Sequence, residues 1–333
     1  MKSISQKIFF TIIIITMVFL TAGCFPIIKL LPGATAPLKE VVLKGEGRDK
    51  VVIININGII SDKAQKDVLS REEPSLLQEV VSQLDMAKKD PRVKAVVLKI
   101  NSPGGTITAS DIIYQKILRF KKETGDAIVA SMMDVAASGG YYVALPTDQI
   151  IATPTTITGS VGVIFLTPKV YDLMDKIGVG MNVRTSGKNK DMGSPFRKNT
   201  PEEDAIFNSL IHYYGDRFLT LVEQNRSGKK NLAIDEIKTA RIFDAHDALA
   251  AGLIDRIGYL EDAIAAAEEI AGLPADSRVV MYRRTAYPND TIYNTLSAQA
   301  GVKAPSLINV DFLNALSSFS SGFYYMWWPG AEE

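Results

Sequence analysis

The chain has 333 residues, 47% of them hydrophobic and 22% charged, with a formal net charge of zero. That length suits one large core or two smaller ones, and the charge balance excludes the basic excess expected of a nucleic-acid binder. A single cysteine, Cys24, and two separated histidines, His212 and His246, exclude an internal disulfide and a Cys- or His-rich metal site, so neither metal nor cofactor is expected.

At the N-terminus, Lys2 and Lys7 precede an uncharged run from Ile8 to Ile28 that Lys29 closes. About twenty apolar residues suffice to cross a bilayer. The basic start, apolar middle and small residues Thr21-Ala22-Gly23 also fit a secretory signal. Cys24 directly after Ala22-Gly23 resembles a bacterial lipoprotein cleavage site, although Thr21 stands where leucine is usual. A spanning anchor and a lipidated Cys24 both stay open. Either one holds the chain at the cell membrane with its remainder on the extracytoplasmic side.

Residues 29–50, rich in Pro, Gly, Lys and Glu, read as a linker. Val51 to Ile56 is an apolar, β-branched strand, and the spacing of Leu76, Leu77, Val80, Val81 and Leu84 predicts a helix over 74–89. A second strand over 93–100, a helix over 107–122 and a third strand over 127–132 follow. Such alternation is the signature of an α/β fold with a largely parallel sheet. Beyond Ser138, helices are predicted over 139–145, 168–177 and 201–225, short strands over 150–152 and 181–184, and a polar loop over 186–200. The folded unit is expected to span 51–282. Residues 283–333 read as an irregular tail containing Phe323-Tyr324-Tyr325-Met326-Trp327-Trp328-Pro329.

Three loops gather the residue types that chemistry needs. Asn101-Ser102-Pro103-Gly104-Gly105 ends a strand with two glycines, which let backbone N–H groups face a ligand closely; a plain tight turn reads equally well. Ala136-Ala137-Ser138-Gly139-Gly140-Tyr141-Tyr142 puts a serine among small residues at a helix N-terminus, where developing negative charge is stabilised. Helix capping alone does not require those flanking small residues. Thr185 to Phe196 carries Lys188 and Lys190, which by themselves read as solvated loop lysines.

Together these loops resemble the signal peptide peptidase A family of serine peptidases, in its short, single-unit form. The resemblance runs from about Val51 to Ile270. It also takes in Thr158-Gly159-Ser160-Val161-Gly162-Val163, Ser194-Pro195-Phe196, and the block from Gly252 to Gly258. It implies a Clp-protease/crotonase-like spiral of ββα units. Ser138 is then the nucleophile, Lys190 the general base, Ser160 the serine that orients the lysine, and the N–H of Gly105 with Gly104 beside it the oxyanion hole. Lys188 competes with Lys190 but fits the spacing to Ser194 less well. Asp244 to Ala248 departs from the family, which usually has glycine there. Remnant signal peptides and other hydrophobic peptides are the implied substrates, and a homo-oligomeric ring with active sites between subunits is the implied assembly. A crotonase-like acyl-CoA enzyme and a non-catalytic membrane scaffold are the rival readings.

The chemistry sets a condition on the lysine. A serine hydroxyl needs an adjacent base, and a lysine serves only when neutral. Its pKa must then fall from ~10.4 towards ~7–8 by burial, a destabilisation of about 4 kcal/mol. An exposed loop lysine does not sustain that, so Lys190 is expected to be buried by neighbouring protein.

Overall fold

The computed structural model describes residues 36–66, 72–228, 232–284, 287, 290–294 and 321–329. The anchor segment 1–28 and Cys24 lie outside these residues. Among the described residues no helix is long and apolar enough to cross a membrane.

In chain order the elements are β1 (Lys39–Lys44), β2 (Lys50–Asn57), β3 (Gln65–Lys66), β4 (Glu72–Glu73), α1 (Leu76–Lys89), β5 (Val93–Ser102) and β6 (Gly104–Thr106). Then come α2 (Ile107–Thr124), β7 (Ala127–Ala137), α3 (Gly139–Ala144), β8 (Gln149–Ala152), β9 (Ile157–Gly159), β10 (Ile164–Leu166) and α4 (Tyr171–Lys176). The chain continues through α5 (Pro201–Arg226), α6 (Ile234–Ile237), β11 (Ile242–Asp244), α7 (Ala245–Ala250), β12 (Arg256–Ile257), α8 (Leu260–Ile270), β13 (Arg278–Arg283) and β14 (Gly322–Met326).

The fold is a mixed α/β sheet. Its main path runs β1-β13-β2-β5-β7-β8-β12, and β9 pairs with both β7 and β11. Strands β2, β5, β7 and β8 are mutually parallel. They read as near-continuous apolar runs because both sheet faces are covered. On one face Val52, Ile54, Val96 and Leu98 pack with helices α1 and α2 through residues such as Val80 and Ile113. On the other, Val51, Ile53, Val97 and Val129 meet Leu260, Ile264 and Ala267 of α8. Helix α5 opens on a capping box in which Thr200 and Glu203 satisfy each other's backbone donors.

Three expectations are corrected. Lys39–Lys44, read as linker, forms the antiparallel edge strand β1 on β13. The buried Lys50 amine secures it, pairing with Glu40 at 2.5 Å and Asp90 at 2.7 Å. Residues 181–184, read as a strand, have no regular structure and lie exposed, and among the described residues no strand pairs with them. The tail is not irregular throughout, since Gly322–Met326 forms β14, the middle strand of a second sheet ordered β10-β14-β6.

Two deviations from the sequence expectation have local causes. The helix expected over 168–177 shortens to Tyr171–Lys176, and Lys169 is instead held by the Ser194 carbonyl at 2.8 Å. At the family-divergent Asp244, the carboxylate caps α7 by accepting the Asp247 N–H at 2.8 Å. The loop there is therefore ordered by its own side chain.

The Gly252 to Gly258 block is joined to the core by an ion pair. Arg226, buried at the end of α5, donates to Asp255 at 3.0 and 3.1 Å and to the Gly252 carbonyl at 2.8 Å. Asp255 in turn accepts the Ile150 N–H at 2.8 Å. Removing one partner strands a buried charge, so Arg226→Ala should lose about 3–5 kcal/mol in denaturant unfolding. A loss near the ~0–1 kcal/mol of exposed pairs would mean that water screens this one.

Candidate active site

The parallel strands deliver two loops to the same edge of the sheet. Strand β7 ends at Ala137, and Ser138 takes φ 51° and ψ −115° before α3 begins. Such a conformation in a non-glycine residue costs of order 1–3 kcal/mol and persists only where its surroundings impose it. Here the Ser138 N–H donates to the Gly159 carbonyl and the Tyr142 N–H donates to the Ser138 carbonyl, both at 2.8 Å. The Ser138 Oγ is buried and has no hydrogen-bond partner. Helix α3 packs so closely on the neighbouring loop that a Cβ at Gly140 would stand 2.5 Å from the Ser102 carbonyl oxygen.

The second loop turns at Pro103 into β6. Ile60 holds one side of it: its N–H donates to the Gly104 carbonyl and its carbonyl accepts the Thr106 N–H, both at 2.9 Å. A Cβ at Gly105 would lie 1.9 Å from the Ile60 carbonyl oxygen, so only glycine fits. Because strand donors alternate in direction, the Gly105 N–H points to the opposite side of β6. Gly139 N would be 2.7 Å from a Cβ on Gly104, so the glycine loop and the serine loop touch.

Ser160 is half-buried with φ 49°, and its N–H donates to the Arg241 carbonyl at 2.8 Å. It directly follows Gly159, the acceptor for Ser138. Ser138, Gly104, Gly105 and Ser160 are thus brought into one place. Lys190 is not: its side chain is exposed, and its backbone N–H donates to the Gly187 carbonyl at 3.1 Å. The burial expected for this lysine is not supplied by its own chain. Lys188 is also exposed and pairs with Glu202.

Sequence reading missed what orders the lysine loop. Arg197 donates to Asp191 at 2.9 and 2.8 Å and to Glu203 at 2.9 and 2.5 Å, linking the loop to the first turn of α5. The Arg197 guanidinium and the Thr200 N–H hold the Glu203 carboxyl down at about 2. Arg197 also lowers Asp191 below the usual carboxylate range. Their acid-base-acid spacing was the only signal in the sequence. Another lysine, Lys99, is brought down to about 8, by burial first and then by Arg283. Its amine donates to the Ile292 carbonyl at 3.0 Å. It points to the sheet face opposite Leu98 and Ile100, which face the core containing Tyr141. Lys99 is therefore no candidate base for Ser138.

Strand β14 was missed as well, although its run of aromatic residues has high strand propensity. It lies antiparallel to β10, with Tyr324 opposite Ile164, and antiparallel to β6, with Tyr325 opposite Gly105. The Tyr325 ring is buried, stacked on Tyr142 at 5.0 Å and tilted against Phe218 at 4.8 Å. Its hydroxyl donates to the Tyr214 carbonyl at 2.8 Å. Phe323 packs in the same direction on Phe165 at 4.5 Å.

A buried hydroxyl at a bent strand-to-helix turn, beside the backbone of a glycine loop, is equipped for acyl transfer once a base is supplied. These features are those of a serine hydrolase. A family model described as peptidase family S49 matches residues 120–274, and one described as Clp protease matches residues 62–159. The chain is 34% identical over 278 residues to a putative signal peptide peptidase SppA of Enterococcus faecium, covering 83% of this chain and 80% of that one. It is 35% identical over 225 residues to Protease 4 of Salmonella typhi, covering 67% of this chain and 35% of that one. The serine protease SPPA, chloroplastic, of Arabidopsis thaliana is 32% identical over 267 residues, with 80% of this chain and 38% of that one covered. The chain thus spans little more than a third of the length of the Salmonella and Arabidopsis relatives. It belongs to peptidase family S49, the signal peptide peptidase A family, and is a serine peptidase.

Proposed function

We propose that this chain is a membrane-associated endopeptidase that degrades cleaved signal peptides and other hydrophobic peptides. Ser138 is the nucleophile, Lys190 the general base, Ser160 the residue that orients the lysine, and Gly105 with Gly104 the oxyanion hole. The observation that carries this reading is the Ser138 hydroxyl, buried without a partner on a strained turn against the Gly104-Gly105 loop. The aromatic lining of Tyr142, Phe165 and Phe218 favours apolar substrates. The uncharged run over 8–28 favours attachment to the membrane. The match of the Clp protease model supports a spiral fold of the Clp-protease/crotonase type.

The base is supplied by a neighbouring copy. Leu173, Ile177, Val179, Met181, Val183 and Phe196, on the segment that carries Lys190, are exposed large apolar side chains. Several large apolar side chains exposed along one segment favour an interaction site there. A head-to-tail ring of identical chains covers it and buries the lysine loop at the next subunit's serine. The experiment is hydrolysis of a hydrophobic peptide by the detergent-solubilised chain, with products read by mass spectrometry. Lys190→Ala should be inactive and Lys188→Ala near wild type. The reverse result moves the base to Lys188.

A further inference from the structure

We propose that a pocket at the carboxyl ends of β2, β5 and β7 binds a free apolar α-amino acid, with its carboxylate on Lys99 and its ammonium on Asn55 and Asp134. Alternation puts every second residue of a strand on one face. On the face covered by α8, β2 presents Val51, Ile53 and then Asn55, and β5 presents Ala95, Val97 and then Lys99. The apolar members of both series pack in one cluster with Leu260 and Ala263 of α8. Asn55 and Lys99, opposite each other in the ladder, break the series and line the pocket. They are only 5% and 4% exposed. Polar groups buried to that degree need partners.

Their partners within the chain are incomplete. The Lys99 amine donates to the Ile292 carbonyl at 3.0 Å and to the Asn294 carbonyl at 3.4 Å, and lies 5.9 Å from the centre of the Tyr293 ring. An ammonium has a third donor and a charge to balance. Among the described residues no carboxylate reaches it. Burial, and Arg283 after it, make that charge costly, and an anion beside the amine removes the cost. The Asn55 amide is oriented by its donor side, whose Nδ2 faces the Asn294 carbonyl at 3.5 Å and the Met281 sulfur at 3.8 Å. Its Oδ1 is buried without a partner.

The groups wanting are therefore an anion for Lys99 and, beside it, an N–H for Asn55. A free α-amino acid carries both on one carbon. The wall formed by β7 adds the opposite charge. Between Met132 and Ala136 that strand bulges, its partners on β5 being Ile100 and Ser102. The bulge carries Asp134 to the pocket. Asn101 braces it, donating to the Asp134 carboxylate at 3.2 Å and accepting the Val135 N–H at 3.1 Å. Among the described residues no cation pairs with Asp134. Unlike charges that line one pocket without pairing with each other suit the two ends of a zwitterion. Met133 and the Tyr293 ring complete the lining and favour an apolar side chain. The carboxyl ends of parallel strands are also where open α/β sheets commonly take their ligands.

The site stands apart from the catalytic assignment, because Lys99 faces away from the core that contains Tyr141. Its test is calorimetric titration of the purified full chain with L-leucine, carried to roughly 10 mM, which saturates a site of Kd near ~1 mM. Wild type should bind leucine. N-acetylleucine, which lacks the ammonium, and leucinamide, which lacks the carboxylate, should each bind at least about ten-fold more weakly, as the loss of one charge-assisted hydrogen bond implies. Lys99→Met should weaken leucine binding to the same extent. Asp134→Asn, a change at an exposed residue, should weaken it several-fold with the unfolding midpoint unchanged. Ser138→Ala should bind leucine as wild type does. Wild type that takes up no leucine overturns the inference, as does equal affinity for either derivative. So does wild-type affinity in Asp134→Asn, or in a folded Lys99→Met. Loss of binding in Ser138→Ala would place the amino acid at the serine and overturn it too.

Discussion

Ser138→Ala should give a folded protein whose hydrolysis of a hydrophobic peptide falls by about a million-fold, the loss seen when a serine peptidase is stripped of its nucleophile. The unfolding midpoint should hardly move. The Oγ makes no hydrogen bond that alanine would forfeit, and substitutions without such a mechanism stay within about 0.5 kcal/mol. Ser138→Gly sharpens the test. Glycine adopts φ 51° without the strain that serine bears there. That relief works against the greater entropy of glycine in the unfolded chain, so this variant should be equally inactive and stable to within about 1 kcal/mol of wild type. A purified Ser138→Ala protein with wild-type turnover removes the nucleophile assignment, whatever the stability of either variant.

Mixing Ser138→Ala with Lys190→Ala, each inactive alone, should restore about a quarter of wild-type activity. In a head-to-tail ring each site draws its serine from one chain and its lysine from the next. With equal amounts and random assembly, each contributor is intact with a chance of about one half, and the two chances multiply. The single chain motivates the experiment: Lys190 is exposed, while the Ser138 hydroxyl is buried and unpartnered. Burial against a neighbour would supply the desolvation that a lysine base requires. If serine and lysine of one site come from the same chain, mixed rings recover nothing and the shared-site assembly is lost. Before activity is read, the mixture must be dissociated and reassembled, because preformed rings of one variant stay inactive.

Much of the path to the site was legible in the residues. Apolar, β-branched runs at 51–56, 93–100 and 127–132 alternate with helical spacing, and such patterns are set by what each segment must bury. The Ser138 loop was legible for a related reason. Small residues flank it because helix α3 has no room for a side chain against Ser102, and the crowding leaves its mark in the local sequence.

Where a segment's structure depends on a partner far along the chain, local pattern was silent. Lys39–Lys44 carries no clear alternation and becomes a strand because the edge of β13 is open beside it and Lys50 reaches back to Glu40. Residues 181–184 have the composition of a strand, but among the described residues no strand pairs with them and they stay irregular. The aromatic run announces strand propensity, yet its placement between β10 and β6 depends on pairings of Tyr324 with Ile164 and of Tyr325 with Gly105, which lie far apart in sequence. By itself the sequence determined the parallel α/β core and the glycine and serine loops, since their physics is local burial and local crowding. Only the tertiary structure decided that Gly322–Met326 pairs between β10 and β6 and that Lys190 is exposed while the Ser138 hydroxyl is buried without a partner, because hydrogen-bond pairing and exposure belong to the assembled chain and not to any window of it.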